Sequence, residues 1–379
     1  PFLGGTLSLQ SSLSRLDQFN YDLQTYNTVP LILNYTQPIR AYNALKWRKK
    51  TAPLQYENAQ RAYLETMQDI TINVTNLFFT VLSAQENYRQ SVADYEDRKH
   101  LFEIAKKRLD LGTTTSEVLQ MELSLLNAKM SVNSTSLTLR TQLFSLFSYL
   151  RIVDYGDIEL LPPYYMPDIE MNAEQVLDKA WTGSSHSIEQ QLNLLESQRA
   201  LAEAKANRGL QVEFRGRVGL SQSANDFPAA YRRLKDYETV GLTMTIPIYD
   251  WGMGRGKVRM AKTDVEITKT QIEQANIEFA HDVRTKVMQF NNQAEQCKTS
   301  LRAQDIAAER YDIMKKRFEN GSVTVTELNT AQEEFESAQH QYISQLQQFW
   351  TDYYGIQKLT LYDFIRKENI GVNFNDLVN

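Results

Sequence analysis

The chain has 379 residues, 41 Lys and Arg against 46 Asp and Glu, and a net charge of −5. That length accommodates two or more ordinary domains, and a chain with neither net positive charge nor a basic patch is not built to hold nucleic acid. A lone cysteine, Cys297, excludes an intrachain disulfide framework and a multi-cysteine metal site. It falls inside a helical segment and reads as inert. With only 15 Gly and 9 Pro, long uninterrupted elements are expected.

No run of 18 apolar residues occurs, so no membrane-spanning helix is expected, and no signal peptide opens the sequence. Residues 4–14 set Leu7 and Leu9 against Thr6, Ser8 and Gln10, a weak strand signal. Residues 17–28 are polar, with Asp17, Asn20, Asp22 and Asn27, and read as a loop. Residues 29–39 place Val29, Leu31, Leu33, Tyr35 and Ile39 on one parity against Asn34, Thr36 and Pro38, so the two runs predict a hairpin.

From Ala44 to Asp110 only Pro53, near the start, opposes a helix. Sixty-odd helical residues extend about 90–100 Å at 1.5 Å per residue, a length that calls for coiled-coil-like packing. Residues 115–150 return as a second helix. Gly156, Pro162, Pro163 and Pro167 forbid a continuous helix over 151–170. Short helices over 172–182 and 186–208 follow, separated by Gly183, Ser184 and Ser185. Strands are predicted over 210–220 and 240–248, around a polar loop at 222–236 that holds Pro228. Long helices over 253–318 and 324–358 complete the chain.

The second half repeats the first. Lys106–Leu119 and Lys315–Leu328 share a Lys-Lys-Arg run followed by glycine, and the glycines are offset by 321 − 112 = 209. Gln37-Pro38-Ile39 and Ile246-Pro247-Ile248 give the same offset, 247 − 38 = 209. Residues 38–112 therefore align with 247–321 without a gap, the mark of an internal duplication. In each copy the glycine suits a helix end, with basic residues in the turn before it and Thr or Ser beyond it to cap the next helix. The helix at 186–208 precedes the second strand pair and has no counterpart in the first copy. We expect an unseen helix and a removed export signal ahead of Pro1.

Leu210, Val212, Phe214, Val218 and Leu220 share one parity, and Glu213, Arg215 and Arg217 the other. Two arrangements satisfy this pattern. One is a small sheet whose apolar face packs on helices. The other is a set of barrel staves with the apolar side toward lipid and Glu213, Arg215 and Arg217 aimed into a watery lumen. Strands of about 9–11 residues span a bilayer, but barrels begin at about eight strands. An open edge in lipid strands backbone groups at several kcal/mol each. The barrel arrangement therefore requires several copies: two would give 8 strands and three would give 12, and only the wider barrel leaves much room for passage.

The stretch Leu242-Thr-Met-Thr-Ile-Pro247-Ile-Tyr-Asp250-Trp-Gly252, followed by Arg255, Lys257 and Arg259, resembles the strand-to-helix junction of the TolC-like outer-membrane efflux proteins. The first copy keeps Pro38 but has Tyr42-Asn43 where that family has glycine. The family's helical tip motif is matched by Arg317, Phe318, Gly321, Glu327 and Ala331. The resemblance covers nearly the whole chain. It implies an α+β membrane protein of duplicated strand-hairpin and long-helix repeats, a homotrimer whose 12-stranded transmembrane β-barrel continues as a periplasmic α-helical barrel.

The implied division is a first barrel hairpin (1–43), a first helical hairpin (44–150), an equatorial segment (151–185) and a helix leading to the barrel (186–209). A second barrel hairpin (210–250), a second helical hairpin (251–358) and a C-terminal tail (359–379) follow. The implied function is the exit duct of a tripartite efflux or type I secretion system, passive in itself and driven by an inner-membrane pump or secretion ATPase through a periplasmic adaptor. On this resemblance Gly112, Thr113, Gly321 and Ser322 meet the adaptor, and Pro38, Pro247 and Gly252 turn strand into helix. Glu327 takes the first position of the acidic ring that closes the aperture in some members. Thr330 takes the second, so a full double acidic ring is not expected.

Enzyme readings find little support. Gly252, Gly254, Gly256 and Lys257 follow a strand and open a helix, but Val258 stands where a phosphate loop requires Ser or Thr. His100, His186, His281 and His340 have neither metal-ligand nor triad spacing. No catalytic constellation, cofactor or metal site is expected. Two alternatives stay open at this point: a soluble coiled-coil scaffold with a small β-hairpin domain, and a duct tuned to protein export.

Overall fold

The structure, a computed structural model, describes residues 4–18, 23–109, 115–153, 156, 158–163, 166–319, 322–323 and 325–374. The chain divides into two compact units, one of Pro1–Gln60 with Ser185–Glu278, the other of Arg61–Ser184 with Phe279–Asn379.

The first unit is built on a four-stranded antiparallel sheet in the order β1 (Thr6–Gln18), β2 (Leu23–Arg40), β3 (Gln211–Ala224), β4 (Lys235–Thr245). Strand register sorts the side chains. Leu9 faces Leu33 and Leu33 faces Val218, while Gly216 faces Val240 and Phe214 faces Leu242. Successive residues on a strand point to opposite sides, so the apolar residues of all four strands gather on one face.

Prolines set the phase of β2. Its ladders to both neighbours slip near Pro30, between Gln10 and Ser12 of β1 and between Thr28 and Leu31 against β3; a second slip lies between Pro38 and Arg40. Proline offers no ladder N–H and is tolerated at bulges, where one extra residue shifts the alternation. This corrects the parity read from sequence. Val29 pairs with Ser12 on the polar side, and Thr28 follows Leu31 on the apolar side.

The expected loops are shorter than their polarity suggested. Asp17 and Asn27 belong to strands, where Arg15 pairs with Asp17 at 2.8 Å and the Ser223 hydroxyl donates to Asn27 Oδ1 at 2.6 Å. Ladder bonds are backbone bonds, so polar side chains do not end them. The predicted loop at 222–236 holds the end of β3 and a short helix, α5 (Phe227–Ala230), capped by Asp226, which accepts from the Ala229 N–H at 2.9 Å. β4 stops at Thr245, ahead of the predicted 248, because Pro247 cannot donate to a ladder. The unit also contains α4 (His186–Arg208) and the opening turns of α1 (Ala44–Leu109) and α6 (Met253–Glu319).

The second unit contains the rest of α1 and α6, with α2 (Thr115–Tyr149), α3 (Ala173–Gly183), α7 (Val325–Thr360) and a small pairing of β5 (Tyr362–Asp363) with β6 (Glu368–Asn369). Asn172 caps α3, its Oδ1 accepting from the N–H groups of Glu174 and Gln175 at 2.9 and 3.2 Å. The apolar stripe of α3, Val176, Leu177 and Ala180, packs with Val283, Val287 and Phe290 of α6 and Phe349, Tyr353 and Ile356 of α7. Gly183 is required where α3 meets the end of α7, because a Cβ there would run into the Thr360 carbonyl.

A second cluster joins Phe79, Leu82, Cys297, Ile343 and Leu346. Burial pushes the Cys297 thiol up to about 11, so it stays protonated and inert at neutral pH. Between these layers buried amides pair across helices. Gln293 donates to the Gln345 carbonyl at 2.9 Å, Gln339 to Glu86 at 3.1 Å and Gln347 to Asn76 at 3.1 Å. Sliding one helix past another would leave such groups without partners.

Candidate functional site

Apart from the end where Thr28 is buried and Phe227 of α5 packs on Tyr26, the apolar sheet face is open in the single chain. Leu7 is 66 % exposed, Val240 75 % and Met244 62 %, with Leu9, Leu31, Leu33, Val218 and Leu242 exposed beside them. Along β3 the band runs from Val212 to Leu220, and β1 and β4 form the two edges of the sheet. About nine residues at 3.4 Å each, tilted, match the roughly 25 Å apolar belt of an outer-membrane barrel.

The opposite face carries the predicted lumen residues. Glu213, Arg215 and Arg217 lie in register with Pro38, Thr36 and Asn34 on one side and Thr243, Gly241 and Thr239 on the other. Arg215 forms an ion pair with Glu213. Of the three charges, Arg217 is therefore the one not offset by a neighbour within that set. Sequence set Asn34 on the polar parity without assigning it to the lumen; its amide reaches Gln10 on β1 at 3.4 Å. A polar residue inside an apolar strand was the only signal for that placement.

The junction residues act in different ways. Pro38 sits inside β2 at the register slip, whereas Pro247 lies past the end of β4. Gly252 takes φ +82, a left-handed conformation natural to glycine, and Trp251 before it takes φ 54. That turn lets Asp250 reach forward, so that its carboxylate accepts from the N–H groups of Gly254 at 2.7 Å and Gly252 at 3.0 Å. These bonds, the one from Gly254 first, hold the Asp250 carboxyl below the usual range. In the first copy Asn43 occupies the place of Gly252 and caps α1 itself, accepting from the Lys46 N–H at 3.0 Å. The cap function is common to both copies while the capping residue moves by two positions, which is why a gapless alignment did not reveal it.

At the tips, Gly112, Thr113 and Gly321 lie outside the described residues. Ser322 is exposed, and its N–H bonds the Arg317 carbonyl at 2.9 Å, the six-to-one bond that closes a helix end. Glu327 and Thr330 are both exposed at the start of α7, and the Thr330 hydroxyl is turned back onto the Thr326 carbonyl at 3.0 Å. The structure adds a tie that sequence did not suggest. Asp97 of α1 accepts from Tyr311 at 3.4 Å and Lys315 at 3.4 Å on α6. Burial, with Asp97 second, pushes the Tyr311 hydroxyl up to about 12, so it remains a donor. Lys315 had been read only as a helix-end charge. Beside this tie, Arg98 pairs with Asp94 at 3.0 Å and Arg310 pairs with Glu334.

Among the described residues no group of His, Cys, Asp and Glu could hold a metal ion, and no helix is long and apolar enough to cross a membrane.

Comparison with known proteins gives a consistent result. The family model described as "Outer membrane efflux protein" matches residues 1–150 and 184–360. Among solved structures, the CmeC outer membrane channel of Campylobacter jejuni superposes with a TM-score of 0.75 at 14% identity, covering 99% of this chain and 80% of that one. The open state of the Neisseria gonorrhoeae MtrE outer membrane channel gives 0.73 at 13% identity, covering 98% and 83%. The outer membrane protein VceC of Vibrio cholerae gives 0.67 at 13% identity, covering 95% and 86%. No curated protein matches the chain significantly. The family is one of channels, not enzymes, and a soluble scaffold finds no support. A largely uncovered apolar sheet face, two strand-to-helix junctions and a family match spanning both repeats lead to one conclusion: this chain belongs to the outer membrane efflux protein family, and is an outer-membrane exit duct of a Gram-negative bacterium.

Proposed function

We propose that three copies of the chain close one barrel, each giving four strands, and that their long helices line a periplasmic tunnel serving tripartite efflux. The observation that carries this reading is the sheet itself. It has two open edges and a largely uncovered apolar face, and an edge left open in lipid costs several kcal/mol for each stranded backbone group. Pairing β4 of one copy with β1 of the next removes every edge. In this arrangement residues 151–185 belong to an equatorial belt. Gly112, Thr113, Gly321 and Ser322 meet a periplasmic adaptor bound to an inner-membrane pump, and Glu327 forms a single acidic ring at the aperture.

The mass of the detergent-solubilised channel tests closure. Three times 43.8 kDa, about 131 kDa of protein, is expected; a stable monomer would end the proposal.

Planar-bilayer recording tests the lining. Neutralising Arg217 together with Arg215 should shift ion selectivity toward cations, because Arg217 supplies positive charge that Glu213 does not offset. Glu327→Ala should weaken block by divalent ions from the periplasmic side. Unchanged selectivity in the first variant, or block equal to wild type in the second, removes that residue's assigned role.

A further inference from the structure

Both long helices carry dense positive charge in their opening turns, and only the Asp250 cap of α6 answers it with a negative group. A helix N terminus carries partial positive charge and favours acidic residues, yet neither α1 nor α6 has an acid in its first turn. α1 opens with Lys46, Arg48, Lys49 and Lys50 and meets its first acid at Glu57; α6 opens with Arg255, Lys257, Arg259 and Lys262 and meets its first at Asp264. All eight basic residues are exposed. Lys46, Arg48, Arg255, Lys257, Arg259 and Lys262 form no ion pair among the described residues. The chain as a whole is acidic, with a net charge of −5, so this concentration does not reflect general composition.

The sheet brings the two stretches together. Arg40 at the end of β2 pairs with Val212 of β3, and Gln211 of β3 pairs with Thr245 at the end of β4. Both helices therefore leave the same end of the sheet from strands about 10 Å apart. α4 reaches that end too, with Lys205 and Arg208 in its last turn. The junctions lie 209 positions apart in the alignment, which is why no basic patch was visible in the sequence.

Between the apolar band and these charges stands an exposed group of Ile246, Ile248, Tyr249, Trp251 and Met253, with Ile248 94% and Trp251 83% exposed. The Tyr249 and Trp251 rings meet edge to face at 4.6 Å. Tyr and Trp favour the headgroup level of a membrane. The basic residues begin two positions past Met253, within one helical turn of this aromatic group, in reach of the headgroup phosphates at that level. Basic clusters beside a membrane attract anionic lipid, and arginine binds phosphate in bidentate fashion.

We propose that the basic openings of α1 and α6 form a collar that binds the headgroups of anionic phospholipids in the leaflet at the helix end of the sheet. The collar selects lipid as well as anchoring the duct, and the binding energy offsets the unfavourable placement of these charges at helix N termini. The inference rests on the apolar face meeting lipid.

Native mass spectrometry tests it, on protein reconstituted in nanodiscs of mixed phosphatidylglycerol and phosphatidylethanolamine. Two variants are compared with wild type. One combines Arg48→Gln, Lys50→Gln, Arg255→Gln, Lys257→Gln and Arg259→Gln; the other exchanges Lys and Arg at the same five positions and keeps every charge. Wild type and the charge-keeping variant should carry excess phosphatidylglycerol, and the neutralised variant should lose that preference by about tenfold or more. Lipids retained in bulk proportion by wild type would overturn the collar, as would a preference that survives neutralisation. A neutralised variant whose oligomer falls apart would show the charges to serve a neighbouring copy, and would also overturn it. Failure of wild type to enter nanodiscs at all would instead sink the lipid-facing sheet.

Discussion

Val240→Lys is expected to destabilise the membrane-embedded protein by about 2–4 kcal/mol, the cost of a lysine at mid-bilayer on a barrel's outer face. Val240 lies opposite Gly216, midway along the apolar band, and is 75% exposed in the single chain. In water such exposure would make the position tolerant. In lipid it makes the position intolerant, so the sign of the effect reports which solvent the face meets. Thr243→Lys is the control, since Thr243 lies opposite Glu213 on the other face; it should change stability by about 0.5 kcal/mol or less. Urea unfolding in lipid vesicles measures both. Equal tolerance at the two positions would reverse or abolish the assignment of faces.

Phe290→Ala is expected to cost about 3–5 kcal/mol, the range for removing a buried aromatic ring. Phe290 is fully buried where α3, α6 and α7 meet, with its ring centroid 5.1 Å from that of Phe349 and 6.2 Å from that of Tyr353. Close-packed neighbours on two other helices cannot all collapse into the void, so a cavity penalty adds to the lost transfer energy. Gln289→Ala, one residue away on the exposed side of α6, should stay within about 0.5 kcal/mol. Denaturant titration followed by helical circular dichroism compares them. A loss below about 1 kcal/mol at Phe290 would mean that the α3 layer is not part of the cooperative core.

Much of this architecture is legible without coordinates, and the reasons are local. Alternation in Phe214, Val218, Leu242 and Met244 reports a sheet with unlike faces because side-chain direction on a strand has period two. Long stretches without glycine or proline report long helices, and a constant offset reports duplication. Reading failed where a single residue changed the phase or where partners lay far apart. The bulge at Pro30 moved Val29 to the polar face, an effect that parity counting cannot carry across an inserted residue. The pairing of Glu213 with Arg215 depends on side-chain direction along one strand. The tie from Asp97 to Tyr311 and Lys315 joins residues more than two hundred positions apart.

The amino-acid order by itself determined the long helices, the four strands apart from their ends, the duplication and the membership of a channel family, since each is written in short-range periodicity or in motifs of a few residues. The tertiary structure alone decided which residues share a face, how each long helix is capped and where dispersed charges converge. Those properties depend on strand register and helix packing, which bring together groups that the chain keeps far apart.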